Sequence, residues 1–93
     1  MPARAVTDLP LRAGEELPNG CTCLAIRLLG RQKKGWAGDV YAVVALTRLG
    51  GDPLAVWFYI PPCDTYPDGL TYDGFYTDDL ERAVWEWRQR RAP

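Results

Sequence analysis

Residues 40–60 read VYAVVALTRLGGDPLAVWFYI, two apolar runs joined by Gly-Gly-Asp-Pro. No other stretch narrows the possible folds as much. Both runs are rich in β-branched and aromatic residues, the composition of strands. Gly50, Gly51 and Asp52 before Pro53 mark a hairpin. Pro61-Pro62 ends the second run, because proline has no N–H for the ladder. The first run is apolar on both faces, as a central strand is. A sheet built on it needs cover on two sides.

The rest of the chain fits around that hairpin. Cys21–Gly30 alternates Leu24, Ile26 and Leu28 with Cys23, Ala25 and Arg27, the period of a strand. A basic loop, RQKKGWAGD, joins it to the hairpin. Short connections of this kind give an antiparallel meander. Residues 77–91 read as a helix with Thr77 or Asp78 as N-cap and Glu81 completing a capping box. Acids crowd its first turn, and Arg88, Arg90 and Arg91 its last, as the helix dipole favours. Leu80, Ala83, Val84 and Trp87 form its apolar stripe.

The expected fold is therefore α+β: a small antiparallel β-meander of three strands, with room for a fourth, and one C-terminal amphipathic helix packed on one face. The chain divides into an irregular segment 1–20, the meander 21–60, an acidic aromatic loop 61–76 and the helix 77–91. Ninety-three residues make one domain. The helix is expected over Leu24, Ile26, Leu28, Val44, Leu46, Val56, Phe58 and Ile60. The opposite face, with Ala25, Arg27, Tyr41, Val43, Ala45, Trp57 and Tyr59, is too apolar to stand in water. Residues 1–20, anchored by Val6, Leu9, Leu11 and Leu17, are the first candidate to cover it. A homodimer through Trp57 and Tyr59 is the alternative.

Composition excludes several chemistries. The chain has no histidine, which removes His-based triads, Cys–His pairs and H-E-x-x-H zinc sites. It has three cysteines, too few for a four-ligand zinc site without histidine, and Cys21 and Cys23 project from one strand face as small buried thiols. Neither G-x-x-x-x-G-K-[ST] nor G-x-G-x-x-G occurs. No cofactor and no catalytic residue is expected. No apolar run approaches the roughly twenty residues of a membrane span, and residues 1–10 lack a signal-peptide core, so a cytoplasmic protein is expected.

Charge is segregated. Between Arg48 and Arg82 the chain carries seven acids and no base. Within it, Cys63–Asp79 interleaves Asp64, Asp68, Asp73, Asp78 and Asp79 with Tyr66, Tyr72, Phe75 and Tyr76. As a calcium loop this run fails, with Tyr66 at the third ligand position and Phe75 at the twelfth. Asp68-Gly69 and Asp73-Gly74 read as turns. Carboxylates beside tyrosines suit a basic partner surface. Trp85 lies off the helix stripe beside Arg88, the composition of an interface hot spot.

The expected partner site is Asp64, Tyr66, Asp68, Tyr72, Asp73, Tyr76, Trp85 and Arg88. The expected function is a non-catalytic protein-binding module, of the kind used by phage or mobile-element inhibitors in anti-defence, docking on the basic nucleic-acid-binding site of a larger complex in the host cytoplasm. One alternative is nucleic-acid binding through Arg31, Lys33, Lys34 and Trp36, with Arg27 and Arg48 on phosphates. It sits poorly with a net charge of −1. Another is a carboxylate or metal-dependent enzyme using Asp64, Asp68 and Asp73.

Overall fold

The computed structural model describes residues 9–31, 38–47 and 51–93. Four strands, β1 (Thr22–Arg31), β2 (Asp39–Leu46), β3 (Leu54–Ile60) and β4 (Leu70–Thr77), precede one helix, α1 (Leu80–Gln89). The sheet order is β1-β2-β3-β4, with every neighbouring pair antiparallel. The fourth strand corrects the reading of 61–76 as a loop, since Leu70–Thr77 pairs along β3 and only the segment before it is irregular.

Two layers flank the sheet. On one side Val44, Leu54 and Val56 pack against Ala83 of α1, with Leu24, Ala25, Phe75 and Trp87 around them. Val40, Phe58 and Ile60 continue this side beneath Leu29, Tyr66, Leu70 and Tyr72. On the other side Tyr41, Val43, Ala45, Ala55, Trp57 and Tyr59 pack with Leu17, Cys21 and Cys23. The N-terminal segment thus covers the second face, through buried Leu17 and half-buried Leu11. Leu9 stays exposed, and Val6 lies outside the described residues. Trp57 and Tyr59 are each 3% exposed, so within one chain these two side chains, through which a homodimer was the alternative, are already covered.

The cover is tied down by backbone bonds. Gly14 N donates to Cys23 O at 2.7 Å, Cys23 N to Glu15 O at 2.8 Å and Leu17 N to Cys21 O at 2.7 Å. Asn19 turns the chain, its Oδ1 accepting from Cys21 N at 3.0 Å, while its Nδ2 donates to Thr71 Oγ1 on β4 at 3.1 Å.

Strand β1 departs from the expected facing. Cys23 stands opposite Ala45 and Ala25 opposite Val44, so Leu24 is an extra, bulged residue. One extra residue reverses the parity of everything after it. Ile26 and Leu28 therefore lie on the N-terminal segment's side, and Arg27 on the helix side. A second bulge at Leu29 restores the phase, and Leu29 packs with Val40 and Phe58.

The helix starts later than expected. Asp79 is the N-cap, its Oδ1 accepting from Glu81 N at 2.9 Å, while Thr77 closes β4. The helix ends at Gln89, with Arg90 as C-cap. Its buried line is Ala83, Trp87 and Arg90, spaced i, i+4, i+7. Leu80 falls outside that line and is 59% exposed, against its expected place in the stripe. Leu46 also lies outside the core, 48% exposed at the end of β2. Trp87 Nε1 donates to Ala42 O on β2 at 2.8 Å. Arg90, read in the sequence as a base of the last turn, is buried. Its guanidinium carbon lies 4.6 Å from the centre of the Phe58 ring, and its Nε donates to Glu86 Oε2 at 3.0 Å.

Burial pushes the Tyr59 phenol above its ordinary value of 10.0, helped by Cys23, Tyr41 and Glu15. Burial pushes Tyr41 up too, helped by Asp39. The folded chain holds these protons more tightly than the unfolded one. Their stabilising effect is complete below pH about 10 and is lost as the pH rises through the higher folded values. The melting temperature is expected to fall above pH about 10. Tyr59→Phe should flatten that fall, and identical pH profiles for the two proteins would show that Tyr59 does not titrate with unfolding.

Candidate functional site

Strand β4 forms one edge of the sheet and carries a bulge at its middle. Val56 faces Phe75 and Phe58 faces Tyr72, so Asp73 and Gly74 together oppose Trp57. Asp73 takes φ 57°, the left-handed region that aspartate tolerates better than most residues. Asp73-Gly74 is thus a bulge within a strand, and the expected turn there is corrected. Gly74 presses against Trp57, and a Cβ there would sit 2.6 Å from the indole Nε1.

The bulge separates aromatics from acids. Tyr66 and Tyr72 turn inward to the cluster around Phe58, and the Tyr72 and Phe58 ring centres are 5.2 Å apart. Phe75 packs under α1. Tyr76 is 44% exposed and meets Trp57 edge-on at 5.9 Å. The carboxylates point outward: Asp64 and Asp68 before β4, Asp73 midway and Asp78 and Asp79 beyond it are all exposed. Eight strand residues span roughly 26 Å, so the acids lie along an edge without converging. Among the described residues no group of three or more Asp, Glu or Cys side chains is placed to hold a metal ion.

Arg90 adds a contact that the charge pattern of the sequence hid. Its NH1 lies 3.9 Å from Asp73 Oδ2, and its NH2 donates to Val56 O at 3.4 Å. Arg90 follows Ala83 by seven residues, and that interval is the one sign in the sequence that it faces inward.

Trp85 and Arg88 stand apart from this edge, on the outer face of α1. Trp85 is 62% exposed, and grooves on either side of it are lined by Asp79, Glu81 and Arg82 and by Leu80, Val84 and Arg88.

The basic alternative loses one residue. Arg27 was expected to contact phosphate, but its Nε donates to Trp87 O at 3.0 Å and its NH2 to Arg88 O and Arg90 O, both at 2.8 Å. The parity change at Leu24 turns it toward the helix end. Arg31 closes β1 and is exposed, while Lys33, Lys34, Trp36 and Arg48 lie outside the described residues.

All three cysteines are free thiols. Cys21 Sγ donates to Thr47 Oγ1 at 3.2 Å, and burial with nearby Glu15 pushes the Cys23 thiol up, away from the reactive thiolate. Among the described residues no helix is long and apolar enough to cross a membrane. No family model matches the chain, nor does any curated protein or solved structure.

Proposed function

We propose that this chain is a non-catalytic protein-binding module that docks its β4 edge on a basic surface of a larger partner. The observation that carries the reading is the run of exposed carboxylates before, on and beyond the edge strand β4, Asp64, Asp68, Asp73, Asp78 and Asp79, while Tyr66 and Tyr72 turn to the core and Tyr76 stays exposed. Negative charge spaced along an extended edge imitates the charge of a phosphate backbone. It suits a groove built for nucleic acid, and occupying that groove would inhibit its owner. Charges on an edge strand also block pairing with stray strands. That role needs charge only, whereas docking needs a partner that is released when the charge is removed.

The test replaces Asp64, Asp68 and Asp73 with Asn together. All three are exposed, so stability should change by under about 1 kcal/mol. Tagged wild-type protein is expected to retain a bacterial protein from nuclease-treated lysate. Retention should fall with salt and drop at least about tenfold in the triple variant. Equal retention by both proteins would end the acidic-edge reading. Retention that vanishes with nuclease would move attention to Arg31–Trp36.

A further inference from the structure

The outer face of α1 is unused within the described fold. Its two ends are already secured, by Asp79 at the start and by Arg27 at the last carbonyls. Glu81, Trp85 and Arg88 stand in line at i, i+4 and i+7, opposite the buried line Ala83–Arg90. Leu80 and Val84 run beside them, and these five residues line one shallow groove.

This line is symmetric about the middle of the helix. The centre of Leu80–Gln89 falls between Val84 and Trp85, and Glu81 and Arg88 are equally far from it. At 1.5 Å per residue each lies about 5 Å from that centre. Within one chain Glu81 and Arg88 are about 10.5 Å apart along the axis, too far to pair.

We propose that two copies of this chain associate through α1, antiparallel about a twofold axis at Val84–Trp85. The rotation sets Glu81 of each copy level with Arg88 of the other, so the pairing forms twice. It sets each Trp85 against Val84 of the other copy, with Leu80 closing both ends. An isologous contact requires a surface complementary to itself, and charge reversed about a central aromatic is such a surface. The antiparallel arrangement also opposes the two helix dipoles. Two three-turn helices hide less than the roughly 800 Å² per partner of a standard interface, which puts the contact in the weak, transient class. The face adjoins the acidic row only at Asp79, which lines the groove beside Trp85, and none of Asp64, Asp68 and Asp73 belongs to it, so its failure would leave the acidic-edge reading untouched.

Sedimentation of the full chain over a range of about 5 μM to about 1 mM tests this. The mass is expected to rise from monomer to dimer. Trp85→Ala, Glu81→Arg and Arg88→Glu should each weaken association about tenfold or more, which is 1.4 kcal/mol. The double variant Glu81→Arg with Arg88→Glu should restore it to within about threefold, because the charges are exchanged on both copies. Far-UV circular dichroism follows the helix in each variant. If Glu81→Arg loses helix, Trp85→Ala decides alone, since Trp85 is not part of the core. A monomer at every concentration overturns the proposal. So does a dimer indifferent to Trp85→Ala, or a folded double variant as weak as the single ones.

Discussion

Replacing Arg27 with Ala is expected to destabilise the fold by about 3 kcal/mol, enough to lower the melting temperature of a chain this size by roughly 12–24 °C. The side chain reaches from β1 to three carbonyls at the end of α1, those of Trp87, Arg88 and Arg90. The last carbonyls of a helix have no partner within it and form its negative end. The guanidinium carbon also lies 5.7 Å from the centre of the Trp87 ring. Three charge-assisted bonds would sum to more than this figure, but two effects oppose them. Burial, and then the neighbouring charge of Arg91, hold the guanidinium below its ordinary pKa. Arg27→Lys should recover less than half of the loss, because an ammonium cannot fork across three acceptors. Urea denaturation followed by circular dichroism measures both variants. A loss under about 0.5 kcal/mol would mean that Ala83 and Trp87 hold the helix unaided.

Arg27 also shows where the sequence stops being readable. Leu24, Ile26 and Leu28 alternate cleanly, yet Leu24 faces one layer and Ile26 the other. The bulge that divides them leaves no mark in composition. It arises because Cys23 is held on its own side by backbone bonds with Gly14 and Glu15, while Ala25 pairs with Val44. Strands β2 and β3 needed no such information. They lie mid-sheet, and their two faces followed from alternation alone. In β4 the bulge at Asp73-Gly74 splits the inward residues Tyr72 and Phe75, so part of a strand looked like a turn, whereas Asp68-Gly69 before it is the expected turn, with Gly69 N donating to Tyr66 O at 2.9 Å.

The candidate surfaces were legible to unequal degrees. Trp85 stands off the helix stripe by angle alone, and its exposure follows from 100° per residue. Leu80 could not be placed that way, because the buried line is set by Trp87 reaching Ala42 and Arg90 reaching Phe58. The acidic stretch looked like one surface of mixed acids and tyrosines. The fold sorts it, packing Tyr66 and Tyr72 inward with Phe58 and leaving the carboxylates outside. Docking through the β4 edge therefore rests on charge far more than on aromatic contact.

Gly69→Ala is expected to cost about 3 kcal/mol, from two separate causes. Gly69 has φ +83°, where an L side chain costs about 1 kcal/mol or slightly more. A Cβ there would also lie 2.9 Å from the Ile60 carbonyl oxygen and 3.2 Å from Pro18 Cγ. The first neighbour is backbone at the end of β3, which cannot move without disturbing the ladder, and such overpacking costs about 1–3 kcal/mol. Gly20 supplies the control. Its φ is +85°, but nothing lies within 4 Å of its would-be Cβ, so Gly20→Ala should cost only the first amount. The difference between the two variants isolates the close approach. It also locates the damage, because Pro18 and the Asn19–Thr71 bond join the N-terminal cover to β4 at this point. Gly69→Ala should therefore loosen the cover over Tyr59 and lower the pH at which its phenol ionises, read by ultraviolet titration, while Gly20→Ala leaves it unchanged. Equal losses of stability in the two variants would show that the neighbours of Gly69 give way without cost.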